Sequence, residues 1–301
     1  MADSSWLWAV FTIIAAGAQT VRNAAQRELT GKLGTVGATL VRFLFGFPFA
    51  IVFLLAMLGA GGALPQPPLS FWPWLIDGAL TQVAATALML AAMEERSFVV
   101  AIAYIKTEPV QVALFGLLFL GDAVTPFMAA AIVIATAGVI VMSMKPSAFG
   151  SASGGGWRPT LLGLSAGACF ALSAIGFRGA ILSLHDPSYA MAATFTVTLG
   201  LMVQAALLTL YLALRNRAVL AAVFGAWRPS VFAGFMGALA SQFWFLAFAL
   251  ATAANVRTLA LIEVLFAQAI SHFVFRQPGS PREGVGITVI VIGVVLLIWA
   301  N

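Results

Sequence analysis

A carboxylate in the middle of an apolar run needs a chemical reason. Glu108 occupies such a place, flanked by Tyr104 and Gln111. The three positions stand at i, i+4 and i+7, one face of a helix. They can therefore share one polar site. Pro109 follows directly, removes a backbone donor and frees the carbonyl of Ile105. A kink beside a polar cluster can serve as a gate; the same features also suit a packed kink with a structural ion pair. Lys106 lies about 200° round the helix from Glu108, at about 100° per residue. It cannot share that face, so it needs a partner on another helix, such as Glu263, or access to water. As a cation it is also a candidate ligand-binding group.

Other apolar runs carry polar side chains too. Gln19, Arg22, Asn23 and Gln26 form a single stripe at i, i+3, i+4 and i+7. Such a stripe either lines a cavity or makes a hydrogen-bonded seam between helices. Arg42 lies one to two turns inside the next run, followed by Pro48, and either lines a cavity or snorkels. Gln82 pairs with Thr86 at i+4. Gln242, Trp244, Phe245 and Phe248 offer one amide and three rings for substrate contact or packing. Glu263 stands alone in a late run, and Gln268 and His272 follow on another face. Thr194, Thr196 and Thr198 can bond to their own backbone and need no function. The cations Arg22, Arg42, Lys106, Arg178 and Arg257 outnumber the carboxylates Glu108 and Glu263 inside the runs. That balance favours a ligand with an anionic group over a cationic one. The candidate substrate-binding set is Gln19, Arg22, Asn23, Arg42, Gln82, Tyr104, Lys106, Glu108, Gln111, Gln242, Trp244 and Glu263.

Several other chemistries find no support. Gly163-Leu-Ser165-Ala-Gly167 has the G-x-S-x-G spacing, but that motif acts only on a strand–turn–helix elbow. Within an apolar helix its small residues allow close packing instead. His185 and His272 are far apart and have no acidic neighbours at ligand spacing, so no metal site is expected. No Walker or dinucleotide pattern occurs, and no cofactor is called for. Cys169 is the sole cysteine, which excludes an internal disulfide.

These residues must be positioned by membrane helices. Hydrophobic residues make up 62% of the 301 and charged residues 8%, too few charges to cover a soluble globule. Mean hydropathy is +1.03. The net charge of +5 suits the flanks of membrane spans rather than nucleic acid. Residues 1–5 lack Lys and Arg, so the run from Trp6 reads as a first span and not as a cleaved signal. Apolar runs predict helices at 6–26, 36–58, 71–92, 97–118, 123–143, 160–184, 188–212, 229–251, 254–275 and 284–300. The segments do not alternate, which argues against a β-barrel. Trp72, Trp74, Trp157 and Trp227 read as interface anchors.

The expected fold is an all-α membrane protein of ten transmembrane helices in two inverted five-helix repeats. Residues 1–145 form the first repeat, 146–158 a Gly/Ser linker and 159–301 the second. An offset of 155 residues sets Glu263 on Glu108, Pro281 on Pro126, Gly293 on Gly138 and Ala247 on Ala92. An offset of 151 sets Arg178 on Arg27. Five is odd, so the two repeats must lie in opposite orientations, an arrangement many secondary transporters use.

Glu108-Pro109, the turn Gly121-Asp122 and the spaced Gly138 resemble the EamA-type members of the drug/metabolite transporter superfamily. The second half departs from that pattern, with Val264 after Glu263 and Arg276-Gln277 at the turn. The resemblance implies a ten-helix exporter of small metabolites, whose substrates range over amino acids, other metabolites and drugs. The expectation is a multi-pass protein of the cell (inner) membrane, monomeric or homodimeric, with a small-molecule substrate and the bilayer as partners. Alternating access around a midplane cavity, with proton exchange at the carboxylates, is the expected mode. A non-transporting membrane subunit or a membrane-embedded enzyme is the alternative. Ten Lys and Arg residues fall in the connections after odd-numbered spans, which places those connections in the cytoplasm and both termini outside. Family members usually have cytoplasmic termini.

Overall fold

The structure is a computed structural model and describes residues 6–95, 104–143, 158–186, 188–273 and 281–299. Among these residues every regular element is helical. Helix α1 is Leu7–Leu44, α2 Phe47–Gly59 and α3 Phe71–Glu95. Helix α4, Glu108–Phe115, continues as a π-helix over Gly116–Leu120, and α5 is Pro126–Ser143. Helix α6 is Arg158–Ser183, α7 Tyr189–Arg215, α8 Arg217–Gly225 and α9 Trp227–Leu250. Helix α10, Ala253–Leu259, passes through a 3₁₀ turn at Ala260–Ile262 into α11, Glu263–Phe273, and α12 is Pro281–Trp299. Five segments are long and apolar enough to cross a membrane: Leu29–Gly59, Thr160–Ser183, Tyr189–Arg215, Trp227–Leu250 and Pro281–Trp299. The Gly/Ser linker up to Trp157, the first part of the expected helix at 97–118 and the turn before Pro281 lie outside the described residues.

Five elements differ from the apolar-run reading. The loop expected between 26 and 36 is absent; helix runs on to a single break at Gly34, with φ 66° and ψ 174°. A positive φ is open to glycine at little cost. The break lets the chain double back without a loop. Gln26 Nε2 donates to the Ala38 carbonyl at 2.8 Å, whereas twelve residues of straight helix would separate them by about 18 Å. The second arm, 35–44, ends at Phe45, and Pro48 restarts the helix as α2 within its first turn. Arg42 therefore lies in the last turn of its arm, where a cation suits the helix dipole. The expected helix over 97–118 is broken by a turn at residues 106–107. The expected helix over 254–275 is broken by the 3₁₀ turn. Helix α8 was not expected at all; its N-cap Asn216 accepts from the Val219 amide at 3.2 Å, as a capping side chain does.

The chain divides into two compact units. One comprises Met1–Ala79 with Gly176–Ala251, the other Leu80–Ile175 with Thr252–Asn301. Each draws on both halves of the sequence. In the first unit α1 packs along α9. Glycines permit the approach: a Cβ on Gly234 would lie 2.5 Å from the Phe45 carbonyl carbon. Helix α8 covers the second arm of α1, with Val219 and Val223 over Gly37. Gly78 and Gly176 let α3 and α6 cross at backbone contact. Trp74 lies against Gly179 there, so it packs inside this unit and is no interface anchor. Trp72 and Trp227 are exposed. In the second unit α5 and α12 form the tightest pair. A Cβ on Gly138 would meet the Ile290 amide at 2.6 Å, and one on Gly293 the Ala135 amide at 2.5 Å.

Candidate functional site

The candidate residues fall into two groups, one in each unit. In the second unit the centre is Glu108, 6% exposed. It opens α4, in the first turn after the break at 106–107. Pro109 belongs to that same first turn, where its missing N–H has no partner to lose. The proline thus starts a helix rather than kinking one. Arg257, from the last turn of α10, grips the carboxylate. Its Nε donates to Glu108 Oε1 at 2.7 Å, and its Nη2 lies 2.6 Å from the same oxygen. A buried carboxylate 149 residues away in the sequence holds Arg257. Two charged hydrogen bonds to one carboxylate are among the stronger polar contacts available to a protein.

Around this pair the packing is close. Thr107 Oγ1 donates to the Tyr104 carbonyl at 2.7 Å and accepts from Gln111 Nε2 at 3.1 Å. Gln111 also reaches the Leu164 carbonyl at 3.5 Å. Tyr104 covers Gly163, and the Ile105 carbonyl and the Gln111 amide lie over Gly167. The G-x-S-x-G glycines are therefore the surface on which the start of α4 and the residues before it rest. Lys106 is half-buried in the turn itself. Glu263 opens α11 directly after the 3₁₀ turn, as Glu108 opens α4 after its own break. Gln82 is half-buried on α3, and its carbonyl accepts from the Thr86 hydroxyl at 2.9 Å. Gln268 donates to Glu283 at 2.8 Å, which ties α11 to α12. The His272 side chain lies outside the described residues.

In the first unit the polar stripe of α1 meets α9. Gln19 Oε1 accepts from the Trp244 indole N–H at 3.1 Å. Arg22, 5% exposed, donates to Asn23 Oδ1 at 2.7 Å. Its Cδ would lie 3.3 Å from a Cβ on Gly237, and Arg42 Cγ 3.4 Å from the same point. The two arginines, from the two arms of α1, thus converge on one glycine of α9. Gln26 belongs to the reversal at Gly34, so that end of the stripe is structural. Gln242 donates to Thr194 at 2.7 Å within the core. Thr194, Thr196 and Thr198 each bond back to the carbonyl four residues earlier. Arg178 is buried as well. It caps α9, with Nη1 donating to the carbonyls of Phe248 at 2.5 Å and Ala251 at 2.6 Å, where a cation also complements the helix dipole.

Sequence reasoning passed over Asp77. It lies half-buried in α3 beside Gly176, where a Cβ would come 2.7 Å from Asp77 Oδ2. Its position six residues into a predicted span was signal enough. The charge inventory inside the spans then has three carboxylates, Asp77, Glu108 and Glu263, beside the five cations.

Residues 5–144 match the model of the EamA-like transporter family. Over this segment the sequence is consistent with an EamA-type member of the drug/metabolite transporter superfamily. This match and the five long apolar helices point to a multi-pass membrane protein, and the family's members are transporters. A protein of known crystal structure, 17% identical, has the same fold, with a TM-score of 0.71 over 97% of this chain and 99% of that one. No curated protein matches the sequence. Glu108-Pro109, Gly121-Asp122 and Gly138 all lie within the matched segment of this EamA-like chain.

Proposed function

We propose that this EamA-like protein is a secondary transporter that exports a small amphiphilic metabolite, such as an amino acid, by alternating access of two inverted five-helix repeats. The observation that carries the reading is the pair of interrupted helices. Helix breaks at residues 106–107 and at Ala260–Ile262 each hand over to a glutamate, Glu108 and Glu263, in the first turn of the next helix. The two breaks are related by the 155-residue offset. Discontinuous helices in corresponding positions of two repeats are a feature of secondary transporter sites.

The glycine contacts support the same offset. Adding 155 to Gly138 gives Gly293, and adding it to Ala135 gives Ile290. The contact of Gly138 with Ile290 and that of Gly293 with Ala135 therefore exchange under the offset, as a two-fold relation between repeats requires. The extent of the family match, 5–144, spans the proposed first repeat.

Glu108 and Glu263 are the groups proposed to exchange protons with a driving gradient. The charge asymmetry of the connections supports an orientation with both termini outside, in a protein of the inner membrane. A C-terminal reporter active only in the cytoplasm is expected to stay silent; a strong signal would reverse the orientation. The transport reading is tested by efflux from cells that overexpress the protein and are preloaded with labelled amino acids and related metabolites. At least one compound should leave faster, the Glu108→Gln variant at matched abundance should lose the gain, and collapse of the pH gradient should slow it. Flux that ignores the gradient removes proton coupling. Equal flux in the variant removes Glu108 from the site.

A further inference from the structure

We propose that the Glu108–Arg257 ion pair is a latch between the two helix breaks, with Arg257 the positioning residue that passes the state of Glu108 to the break at Ala260–Ile262. The inference gives the transport reading above a moving part and rests on that reading for its use. Both residues belong to the second unit. Glu108 stands directly after the break at 106–107, in the first turn of α4. Arg257 stands in the last turn of α10, just before the break at Ala260–Ile262. Each charge suits the dipole at its own helix end. One contact therefore fastens the helix that leads into one break to the helix that leaves the other.

Three observations make the end of α10 a movable element. Helix α10 has seven residues, and a helix so short draws its stability from tertiary contacts. Thr258, beside Arg257, is 0% exposed, and its hydroxyl has no hydrogen-bond partner among the described residues. The hydroxyls of Thr194, Thr196 and Thr198 all bond to the carbonyl four residues earlier. A buried hydroxyl left unbonded costs free energy, so the last turn of α10 carries a penalty that the contact with Glu108 offsets. The third observation is the residue at the corresponding place. The 155-residue offset sets Arg257 on Ile102, which has no side-chain donor. An ion pair at one of two corresponding breaks is not something a repeat fold itself demands.

While Glu108 holds Arg257, the last turn of α10 is fixed against α4. Any event that takes the carboxylate from Arg257 releases that turn, and with it the 3₁₀ segment that leads to Glu263. The amides of the segment report the release. Ala260 N–H donates to the Val256 and Thr258 carbonyls, and Glu263 N–H to those of Ala260 and Leu261.

The experiment measures hydrogen exchange on the purified full-length protein in detergent, so it needs no substrate. Exchange over residues 256–263 is referred to exchange over residues 131–139 of α5, in the same unit. The variants are Glu108→Gln, Arg257→Gln, the two combined, and Arg257→Lys. Each neutral single variant should raise the referred exchange by about tenfold or more, the loss of one charged hydrogen bond. The double variant should go no further than the larger single, because both remove the same contact. Arg257→Lys keeps the charge and should exchange more slowly than Arg257→Gln. Should Arg257→Gln fail to fold, Glu108→Gln decides alone: a referred rise keeps the latch and its absence removes it. An equal rise over both segments would be a loss of global stability, and additive effects in the double variant would make the two ends independent. Either result would overturn the latch and leave the transport reading to the efflux measurement above.

Discussion

Arg257→Ala is expected to destabilise the protein by about 3–5 kcal/mol, because it strands a buried carboxylate. The Glu108 side chain is 8% exposed and receives both short contacts from Arg257. Glu108→Gln in the same background removes the stranded charge, so the double variant should recover most of the loss. The measurement is a double-mutant cycle on thermal or denaturant unfolding in detergent. Arg257 itself is 20% exposed, so the effect comes mainly from the carboxylate side. A cost near that of a surface pair, about 0–1 kcal/mol, would show that water reaches Glu108 and that the pair does not hold the break in place.

The second large effect is expected at the contact between α5 and α12. Gly138→Leu places a branched side chain where a Cβ alone would lie 2.6 Å from the Ile290 amide nitrogen. Backbone cannot step aside as a side-chain tip can. Overpacking of this kind costs about 1–3 kcal/mol or more, and here the two helices must part. Gly293→Leu should do the same, since a Cβ there would lie 2.5 Å from the Ala135 amide nitrogen. Gly17→Leu serves as the control, because nothing lies within 4 Å of a Cβ there. The readout is folded yield and melting temperature. Normal stability of Gly138→Leu beside the Gly17 control would mean that close approach of α5 and α12 is not required for the fold.

The legible part of this protein is what composition and period control. Apolar runs located the body of most helices, since burial in lipid demands long unbroken apolar stretches. Glu108 could be recognised as exceptional from its neighbours alone. The back-bonding of Thr194, Thr196 and Thr198, and the packing use of Gly163 and Gly167, also followed from local chemistry. The breaks were harder. One glycine at positive φ replaces a whole loop at Gly34, and the polar stretch from Arg27 to Thr35 does not tell which residue carries the break. Pro109 was visible, but a proline either kinks a helix or starts one, and only tertiary packing decides. Partners were least legible. Nothing in the sequence links Arg257 to Glu108, or Arg178 to the end of α9, because each contact joins segments at least seventy residues apart. Helices with apolar residues on every side carry no periodic signal for which face meets which neighbour. Gly237 was invisible for the same reason: its role depends on two arginines brought together by a distant reversal.

On the proposed function, this protein moves a small metabolite across the membrane by itself. The most direct test is counterflow into proteoliposomes that contain only the purified protein, loaded with one unlabelled compound from the amino-acid panel at a time. Transient accumulation of the matching labelled compound is expected, lost with Glu108→Gln at equal protein content. Accumulation indistinguishable from protein-free vesicles for every compound, with the protein folded, would contradict it. The buried charges would then serve only to hold the helices together.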